Sequence, residues 1–427
     1  MALMQSHAET ISCVQKRGWP NSGISDVSDS MVASMQEAVD RARQFRHDIH
    51  AHPELAFQEN RTSNIVSRRL KELGYQVHTG LARTGVVGVL PGNNRGPSIG
   101  LRADMDALPI EERPTPGKDK PYISTHKGTM HACGHDGHTS MLLGAAELLA
   151  QRWKENPYFG DVVLIFQPAE ENEGGGKEMV EQGLFSQFPV SQIFALHNWP
   201  GMPAGTIGLC DGPIMAAYDR FDLTIRGEGC HAAMPQFGDD VILVASEIVQ
   251  ALQKLTSRNH PFEPSVLSIT KFHAGDAYNV LPANAELAGT LRTFEPQHRE
   301  RLIQEIERTI YGMAGANGVQ ARVEWKDGYP ATINEKKATQ LARKTALELV
   351  GSERLMDPVQ PSTGSEDFGY MLQSVPGCYA WIGNGPGEGG CLLHNPAYDF
   401  NDEILETGIR YWVQLVENFF AEPGAAS

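Results

Sequence analysis

The sequence predicts an α/β protein with a mostly parallel sheet, into which a smaller α+β domain is inserted. Short apolar runs alternate with stretches of helical spacing in the first half of the chain, which is typical of a parallel sheet covered by helices. The middle of the chain changes character, and the α/β pattern resumes near Asn334. The length of 427 residues also exceeds the roughly 250–300 residues at which a single hydrophobic core stops growing.

The first half supplies the elements of the larger domain. Helical spacing predicts helices at residues 35–49 and 63–74, with Gly74 ending the second, and a strongly apolar helix at residues 138–153. Short apolar runs predict buried strands at residues 86–90, 98–102, 162–166 and 193–196. Because strands and helices alternate, we expect these strands to lie parallel in one sheet.

The middle of the chain predicts the inserted domain. Its elements follow the order strand, helix, strand, strand, helix, strand, which is the ferredoxin-like pattern. The predicted elements are the strand 221–226, the helix 241–255, the strands 266–272 and 285–291, the helix 298–314 and the strand 321–325. A unit of this kind has its own core and can interrupt another domain.

The charge and hydropathy of the chain argue against two classes of partner. Lys and Arg number 36 and Asp and Glu number 52, so the formal net charge is −16, whereas nucleic acids and anionic membranes bind clustered positive charge. No apolar run in the sequence approaches the roughly 20 residues that span a bilayer. Residues 1–30 lack the apolar core of a signal peptide and are expected to form a polar extension, so the sequence predicts a cytoplasmic protein.

Acidic and histidine side chains follow three of the predicted strands at the point where each strand ends. Asp104 and Asp106 follow the second strand, Glu170 and Glu171 the third, and His197 the fourth. Ligands of open α/β sheets bind at the carboxyl ends of the strands, so we expect these side chains to meet at one site. Adjacent carboxylates such as Glu170 and Glu171 repel each other unless something positive holds them, although a solvated acidic pair is the alternative.

The densest cluster of potential metal ligands runs from His131 to His138, where three histidines, one cysteine and one aspartate occur in eight residues. Cys133 and His135 are two residues apart, with Gly134 between them, so both side chains can point to one side. The alternative is a glycine-rich loop that begins the next helix. His394, in a loop near the C-terminus, is a further candidate, and a structural histidine is its alternative.

These segments together resemble the M20 family of metallopeptidases, in particular its branch of aminoacylases, hippurate hydrolases and plant auxin-conjugate hydrolases. The resemblance runs from about residue 40 to the end, in the order that the family has. It is carried by seven motifs, which are residues 102–109, 130–139, 166–171, 196–198, 229–235, 279–282 and 394–396.

The resemblance implies a fold, a reaction and an assembly. A catalytic metal-binding domain would be formed by residues 31–212 and 328–427, and the inserted ferredoxin-like unit, residues 213–327, would be a lid and dimerisation domain. The implied reaction is metal-dependent hydrolysis of the amide bond of N-acyl amino acids such as N-benzoylglycine. The implied assembly is a homodimer formed through the lid.

The resemblance also implies roles for individual residues. Glu170 would be the general base and acid, and Asp106 would orient a metal ligand. His231 would stabilise the oxyanion in the active site of the partner subunit, and Asn279 and Arg292 would lie near the substrate carboxylate. Two divalent metal ions, of manganese, zinc, cobalt or nickel, would be bound by Cys133, His135, Glu171, His197 and His394.

Three alternatives to this function stay open from the sequence. The first is a dipeptidase or carboxypeptidase of the same fold. The second is a catalytically silent metal-binding or scaffold protein, which an intact Glu170 disfavours. The third is a redox or nucleophilic role for Cys133, which predicts inactivation by thiol reagents that a chelator does not mimic.

Overall fold

The structure of the chain, a computed structural model, describes residues 29–93, 96–114, 120–171, 173–257, 262–386 and 392–421. The predicted polar extension, residues 1–30, therefore lies outside the described residues except for its last two, which begin the first helix. No helix in the described ranges combines the length and the apolar character needed to cross a membrane.

Helices and strands alternate along most of the described chain. The helices are α1 (Asp29–Ala51), α2 (Asn60–Leu73), α3 (His135–Glu155), α4 (Gly175–Glu181), α5 (Leu184–Gln187), α6 (Val241–Ser257), α7 (Pro296–Ala316), α8 (Lys336–Val350), α9 (Phe368–Ser374) and α10 (Leu405–Ala421). The first strands are β1 (Gln76–Leu81), β2 (Gly85–Leu90), β3 (Ile99–Asp104), β4 (Val162–Gln167), β5 (Gln192–Pro200), β6 (Ile207–Gly208), β7 (Gly212–Met215) and β8 (Ala217–Arg226). The remaining strands are β9 (Cys230–His231), β10 (Ser265–His273), β11 (Val280–Leu281), β12 (Asn284–Thr293), β13 (Gln320–Tyr329), β14 (Thr332–Asn334), β15 (Leu355–Met356) and β16 (Gly377–Gly385).

The larger sheet has eight strands in the order β1-β2-β4-β3-β5-β16-β6-β15. Its centre is parallel, because β3 pairs parallel with both β4 and β5, and β5 pairs parallel with β16. The strands β1 and β2 extend one edge in antiparallel fashion. The prediction of an α/β fold with a mostly parallel sheet is confirmed.

Both faces of this sheet are buried, which explains why its strands are continuous apolar runs in the sequence. Along β4, Leu164 and Phe166 point into the core shared with α1, α3 and α10. Val163 and Ile165 point into a second core, which α4 and α9 cover on the opposite face. The carboxyl ends of the parallel strands are left open between these two helix layers, and this is the edge that carries the candidate site.

The second sheet has four antiparallel strands in the order β10-β12-β8-β13. Helices α6 and α7 pack on it, and Phe221, Ile248 and Ile306 lie in their shared core. The chain order of these strands and helices follows the β-α-β-β-α-β pattern. The borders of a separate domain at residues 213 and 327, and its role as a lid, stay predictions.

Candidate active site

A cavity of about 480 Å³ opens beyond the carboxyl ends of β4 and β5. Its lining combines acidic, thiol and imidazole groups with aromatic and aliphatic side chains. Its walls include Cys133, Glu170, Glu171, His197, Trp199, Tyr218, Arg292, Glu366, Leu393 and His394. Side chains from distant parts of the chain meet here because parallel strands end at the same edge of the sheet.

Gly134 sets the geometry of the Cys133–His135 segment. Its φ is +95°, a left-handed conformation, and His135 begins α3 directly after it. A Cβ atom at this position would lie 2.3 Å from Nδ2 of Asn198, a distance that no side chain can occupy. Glycine is therefore required for the turn that brings the thiol and the imidazole to one side.

The ring of His135 is oriented with one nitrogen towards the acidic side of the site. Its Nδ1 donates a hydrogen bond to the backbone carbonyl of Asp106 at 2.9 Å and lies 3.1 Å from the Oδ1 atom of that residue. Its buried Nε2 has no hydrogen-bond partner among the described residues, and carboxylate oxygens of Asp104 and Glu170 lie 3.9 Å away. Burial opposes a charge on this ring, but the carboxylates around it, Asp104 foremost, raise the pKa of His135 to about 10. The acidic surroundings thus favour positive charge at Nε2, either a proton or a metal ion that takes the place of the proton.

Cys133 and His197 face each other across the same space. The Sγ atom lies 3.5 Å from Nε2 of His197, while Nδ1 of His197 donates to the carbonyl of Asn198 at 2.7 Å. Burial and the carboxylates of Glu171 and Glu170 raise the pKa of Cys133, and burial lowers the pKa of His197. A thiolate at this position therefore needs a bound cation. This environment is the opposite of the electropositive surroundings that activate a nucleophilic cysteine.

His394 reaches the site from the C-terminal part of the chain. Its Nε2 lies 3.1 Å from Oε1 of Glu171, and this contact raises the pKa of His394. Its backbone N–H donates to the carbonyl of Ala132 at 2.7 Å, so its loop is tied to the segment that carries Cys133. The structure therefore brings all five predicted ligands to one place.

Glu170 lies beside these five groups as a separate buried carboxyl. Burial and the neighbouring carboxylates, Glu366 foremost, raise the pKa of Glu170 well above its ordinary value. Its backbone carbonyl accepts a hydrogen bond from the hydroxyl of Tyr329 at 2.6 Å. A buried carboxyl on a fixed backbone, with a pKa raised in this way, has the properties of a proton carrier.

The donors fit divalent metal ions. The ligand atoms of Cys133, His135 and Glu171 all lie within 4.8 Å of one another. Thiolate, imidazole and carboxylate are together typical of zinc and of related transition-metal sites. Asp106 connects two of these donors, because it contacts His135 and accepts the backbone N–H of Glu171 at 2.9 Å.

Comparison with known proteins decides the family. Residues 100–418 match the family described as peptidase family M20/M25/M40. The chain belongs to this family. The family identified from the sequence motifs is therefore confirmed, and the chain is an enzyme, an amidohydrolase.

Several curated M20 proteins are similar to this chain over most of its length. N-acetyl-L-cysteine deacetylase of Bacillus subtilis is 39% identical over 84% of this chain and 83% of its own. Hippurate hydrolase of Campylobacter jejuni is 38% identical over 87% of this chain and 94% of its own. Thermostable carboxypeptidase 2 of Saccharolobus solfataricus is 35% identical over 90% of this chain and 96% of its own. The names of these relatives therefore include both acyl amino acid hydrolases and a carboxypeptidase.

One solved structure has the same fold at a comparable level of identity. It is described as a dinuclear metal-binding peptidase of the M20 family from Bacillus subtilis. The superposition covers 90% of this chain and 99% of that chain, with a TM-score of 0.79 and 35% sequence identity.

The predicted substrate-binding and oxyanion residues of this M20 enzyme lie in two different places. Arg292 lines the cavity, with its guanidinium group 3.9 Å from the centre of the Tyr218 ring. His231 and Asn279 are not part of the cavity wall and lie next to each other on the ribbon formed by β9 and β11, where Ala232 N–H donates to the Asn279 carbonyl.

The length of β8 separates these two places. Tyr218 pairs with Arg292 at one end of the strand, and Arg226 pairs with Asn284 at the other, next to the β9–β11 ribbon. A strand of ten residues is about 30 Å long. His231 therefore stands at the far end of the second sheet from the cavity of its own chain.

Several residues around the M20 site were missed in the sequence. His138 was part of the histidine cluster but received no role. Its Nδ1 bonds Asp104 at 2.6 Å and its Nε2 accepts the N–H of Asn198 at 2.9 Å, so both ring nitrogens are used within the protein. The sequence did contain one indication of its place near the site, because His138 follows His135 by three residues and such residues share one face of a helix.

Arg102 and Glu366 form a second missed group. The guanidinium group of Arg102 bonds Asp104 at 2.8 Å and Glu366 at 2.9 Å, and all three side chains are buried. The adjacent carboxylates Glu366 and Asp367 repeat the pattern of Glu170 and Glu171. They were missed because they precede a short helix and do not follow a predicted strand.

Proposed function

We propose that this M20 enzyme hydrolyses the amide bond of N-acyl amino acids and releases a carboxylic acid and a free amino acid. The reaction uses two divalent metal ions bound by Cys133, His135, Glu171, His197 and His394. One observation carries the proposal: Cys133, Glu171, His197 and His394 line one cavity beside Glu170, and the ligand atom of His135 lies within 4.8 Å of those of Cys133 and Glu171.

When bound at these residues, the two ions would supply Lewis acidity towards the amide carbonyl and would lower the pKa of water. The chain itself supplies the proton transfer. Glu170 is buried, with one oxygen 3.9 Å from Nε2 of His135, and no hydrogen-bond donor among the described residues contacts its carboxyl. It can therefore take a proton from the attacking water and deliver it to the leaving nitrogen.

The amino acid half of the substrate carries a carboxylate, for which Arg292 is the proposed partner. Its guanidinium group stacks on Tyr218, and no carboxylate of the described residues lies within ion-pair distance of it. Burial lowers the pKa of Arg292, but the group stays charged at any physiological pH. A half-buried cation without an ion-pair partner, in the wall of the cavity, favours an anionic substrate.

The acyl half of the substrate is proposed to contact Trp199. Residues two apart on a strand point to the same face, so Trp199 stands on the same side of β5 as His197. Its ring stacks on Trp381 with a centroid distance of 3.9 Å, which makes it a rigid wall. Together with Leu393 and Met215 in the same cavity, it favours an apolar or aromatic acyl group such as benzoyl.

A homodimer is the proposed assembly. The β9–β11 ribbon, where Val280 pairs with His231, adjoins exposed apolar side chains, including Met234, which is 49% exposed, and Phe237, which is 68% exposed. Clustered exposed apolar groups of this kind mark interaction surfaces. Two-fold association through the second sheet would let His231 and Asn279 serve the cavity of the partner. The location in the cytoplasm stays a prediction.

A peptidase specificity is the second candidate, because a relative of similar identity is named a carboxypeptidase. A dipeptide brings a charged amino group to the acyl side of the cavity, where Trp199, Met215 and Leu393 offer no carboxylate. We therefore expect acylated amino acids to be preferred over the corresponding dipeptides.

The test is a panel of N-benzoyl and N-acetyl amino acids and dipeptides, assayed with the enzyme loaded separately with manganese, zinc, cobalt and nickel. We expect hydrolysis of N-benzoylglycine by the wild type, and a loss in kcat of about 10²–10⁴-fold in Glu170→Gln with metal content unchanged. Glu181→Gln, which alters an exposed carboxylate on α4, is the matched control and should keep wild-type activity. If the metal-loaded wild type cleaves only dipeptides, the peptidase candidate holds, and if it cleaves nothing in the panel, both proposed substrate classes are wrong.

A further inference from the structure

Strained backbone conformations surround one buried carboxylate outside the cavity. Five non-glycine residues have a positive φ in the described part of the chain, and four of them lie in three loops next to each other. These four are Phe57 (60°), Ala82 (46°), Arg83 (69°) and Ala169 (53°). Such conformations are strained for residues with a side chain and persist only where the surroundings hold them.

Glu59 is the residue that these three loops share. Its side chain is fully buried. Its Oε1 accepts the backbone N–H groups of Phe57 at 3.0 Å and Ala169 at 2.9 Å, and its Oε2 accepts the hydroxyl of Thr84 at 2.6 Å. The N–H of Thr84 in turn donates to the carbonyl of Ala82 at 2.8 Å. One carboxylate thus connects the loop before α2, the turn between β1 and β2, and the loop after β4.

The loop after β4 carries the chemistry, and it is held at three successive residues. Ala169 N–H donates to Glu59, the carbonyl of Glu170 accepts from Tyr329, and the N–H of Glu171 donates to Asp106. Of these contacts, the one from Glu59 fixes the left-handed residue that directly precedes Glu170. A change in φ at Ala169 would rotate the two following carboxylates away from the site.

A purely local role for Glu59 is not supported by the contacts. Glu59 stands at the N-terminus of α2, where acidic side chains commonly cap the helix, but its side chain makes no capping bond. That task belongs to Glu54, which accepts the N–H groups of Arg61 and Thr62, each at 2.8 Å. The chain therefore has two carboxylates at the same helix end. Glu54 caps the helix, and Glu59 binds the loops.

We propose that Glu59 is a positioning residue that sets the place of Glu170 and Glu171 by holding Ala169 in its left-handed conformation. It touches neither the substrate nor a metal ion, and it acts only through the loop. This inference rests on the proposed function, because it assigns Glu171 to metal binding and Glu170 to proton transfer. Groups that orient the ligands of a metal site typically contribute about 10–100-fold to metal affinity or activity.

The experiment compares the metal affinity and the kinetics of Glu59→Ala, Glu59→Gln and Glu54→Ala with those of the wild type. The affinity of the apoprotein for Mn²⁺ is measured by competition with a chelator. In Glu59→Ala, we expect the affinity and kcat to fall by about 10–100-fold each, with KM within about threefold of wild type. In Glu59→Gln, the remaining oxygen still accepts the Phe57 and Ala169 N–H groups, so both quantities should return to within about threefold of wild type.

Glu54→Ala is the matched control, because it should lower the melting temperature without changing Mn²⁺ affinity or kcat. Wild-type affinity and kcat in Glu59→Ala would overturn the proposal, as would an equal loss in Glu54→Ala or no recovery in Glu59→Gln. If Glu59→Ala does not fold, Thr84→Val removes a single hydrogen bond to the same carboxylate and should lower Mn²⁺ affinity several-fold, whereas unchanged affinity contradicts the role.

Failure of the proposed function would be recognised separately. If the wild type binds Mn²⁺ but cleaves no acyl amino acid, the assigned substrate is wrong. In that case the Mn²⁺ affinities of the Glu59 variants decide whether Glu59 positions the loop.

Discussion

At the residue scale, the candidate site combines groups whose hydrogen bonds fix which atom faces the cavity. His135 and His197 each donate from Nδ1 to a backbone carbonyl, which leaves Nε2 of both rings as the nitrogen that can bind a metal ion. His138 lies beside both rings, but both of its nitrogens are already bonded within the protein. The position of the hydrogen on each ring is therefore set by the chain before any metal ion binds.

Arg292 gives a prediction at this scale about substrate recognition. In Arg292→Lys, the charge remains but the planar group that stacks on Tyr218 and binds a carboxylate in two places is lost. We expect KM for N-benzoylglycine to rise about tenfold or more, with kcat within about threefold. The measurement is steady-state kinetics with N-benzoylglycine and with its amide.

The amide analogue is the control, because it lacks the carboxylate. Wild type and Arg292→Lys should hydrolyse the amide analogue with similar KM. If KM for N-benzoylglycine is unchanged in the variant, Arg292 does not bind the carboxylate.

The sequence predicted the residues of the site better than their surroundings. The ligands and Glu170 stand out because acidic, thiol and imidazole groups follow strand ends or crowd into one short segment. Glu59 and Arg102 could not be assigned, since each acts through contacts with loops that are far away in the sequence. Nothing in the local pattern of either residue indicates which loops the fold brings to it.

At the element scale, α1 is connected to the site by charged groups on one face. His50 bonds Asp136 at 2.8 Å and Glu112 at 3.1 Å, and Lys120 lies 2.6 Å from the same Glu112 oxygen. Arg46 also reaches Asp136, at 3.3 Å. These contacts join α1, the N-terminus of α3 and the loop that precedes it, next to His135.

This network predicts how stability depends on pH. Burial alone would raise the pKa of Glu112, but the hydrogen bond from His50 and the charge of Lys120 outweigh it and lower the pKa to about 2. The stabilising effect of the ionised Glu112 is therefore complete above the ordinary pKa of 4.5 and is lost as the pH falls towards 2. Its size is up to roughly 3 kcal/mol.

Glu112→Gln should accordingly lower the free energy of unfolding near pH 6, and the difference from wild type should shrink steadily below pH 4.5. Urea unfolding at a series of pH values measures this difference in the free energy of unfolding. Glu155→Gln, at an exposed position on α3, should follow the wild-type curve. A Glu112→Gln difference that stays constant from pH 6 to about pH 3 would mean that the network contributes no charge-dependent stability.

The strands that the sequence did not reveal have physical reasons for being missed. The strand β16 contains three glycines, which weaken a strand signal. Two of them are required by packing. A Cβ atom added at Gly377 would lie 2.0 Å from the carbonyl oxygen of Ile193, and one added at Gly383 would lie 2.0 Å from the carbonyl oxygen of Pro203. The strand β1 is an edge strand with a mostly exposed polar face, so it lacks the apolar run of the central strands.

At the scale of the whole molecule, the second sheet connects two distant surfaces. One end presents Arg292 to the cavity of its own chain, and the other presents His231 among exposed apolar groups. The alternation of elements in the sequence predicted four of the eight strands of the larger sheet and all four strands of the second sheet. It could not predict which face of the second sheet meets another chain, because that depends on two copies of the structure.

Mixing two inactive variants tests whether His231 acts across a dimer. Glu170→Gln and His231→Ala should each be inactive alone. If they are mixed in equal amounts and allowed to exchange subunits, about half of the dimers are mixed, and each mixed dimer has one intact site. We therefore expect activity to recover to about a quarter of the wild-type level.

The mixing experiment includes its own control. Glu170→Gln mixed with Glu170→Ala should show no recovery. Activity that does not rise in the first mixture after subunit exchange would mean that His231 serves no partner site.

The central claim is that five side chains from separate segments hold two divalent cations beside Glu170. The most direct measurement is an anomalous difference map from crystals of the manganese-loaded enzyme. We predict two peaks about 3.5–4 Å apart, with Cys133, His135, Glu171, His197 and His394 as their ligands and the Glu170 carboxyl outside the coordination sphere. A map with no peak between Cys133 and His197, or with Glu170 itself as a ligand, would contradict the account.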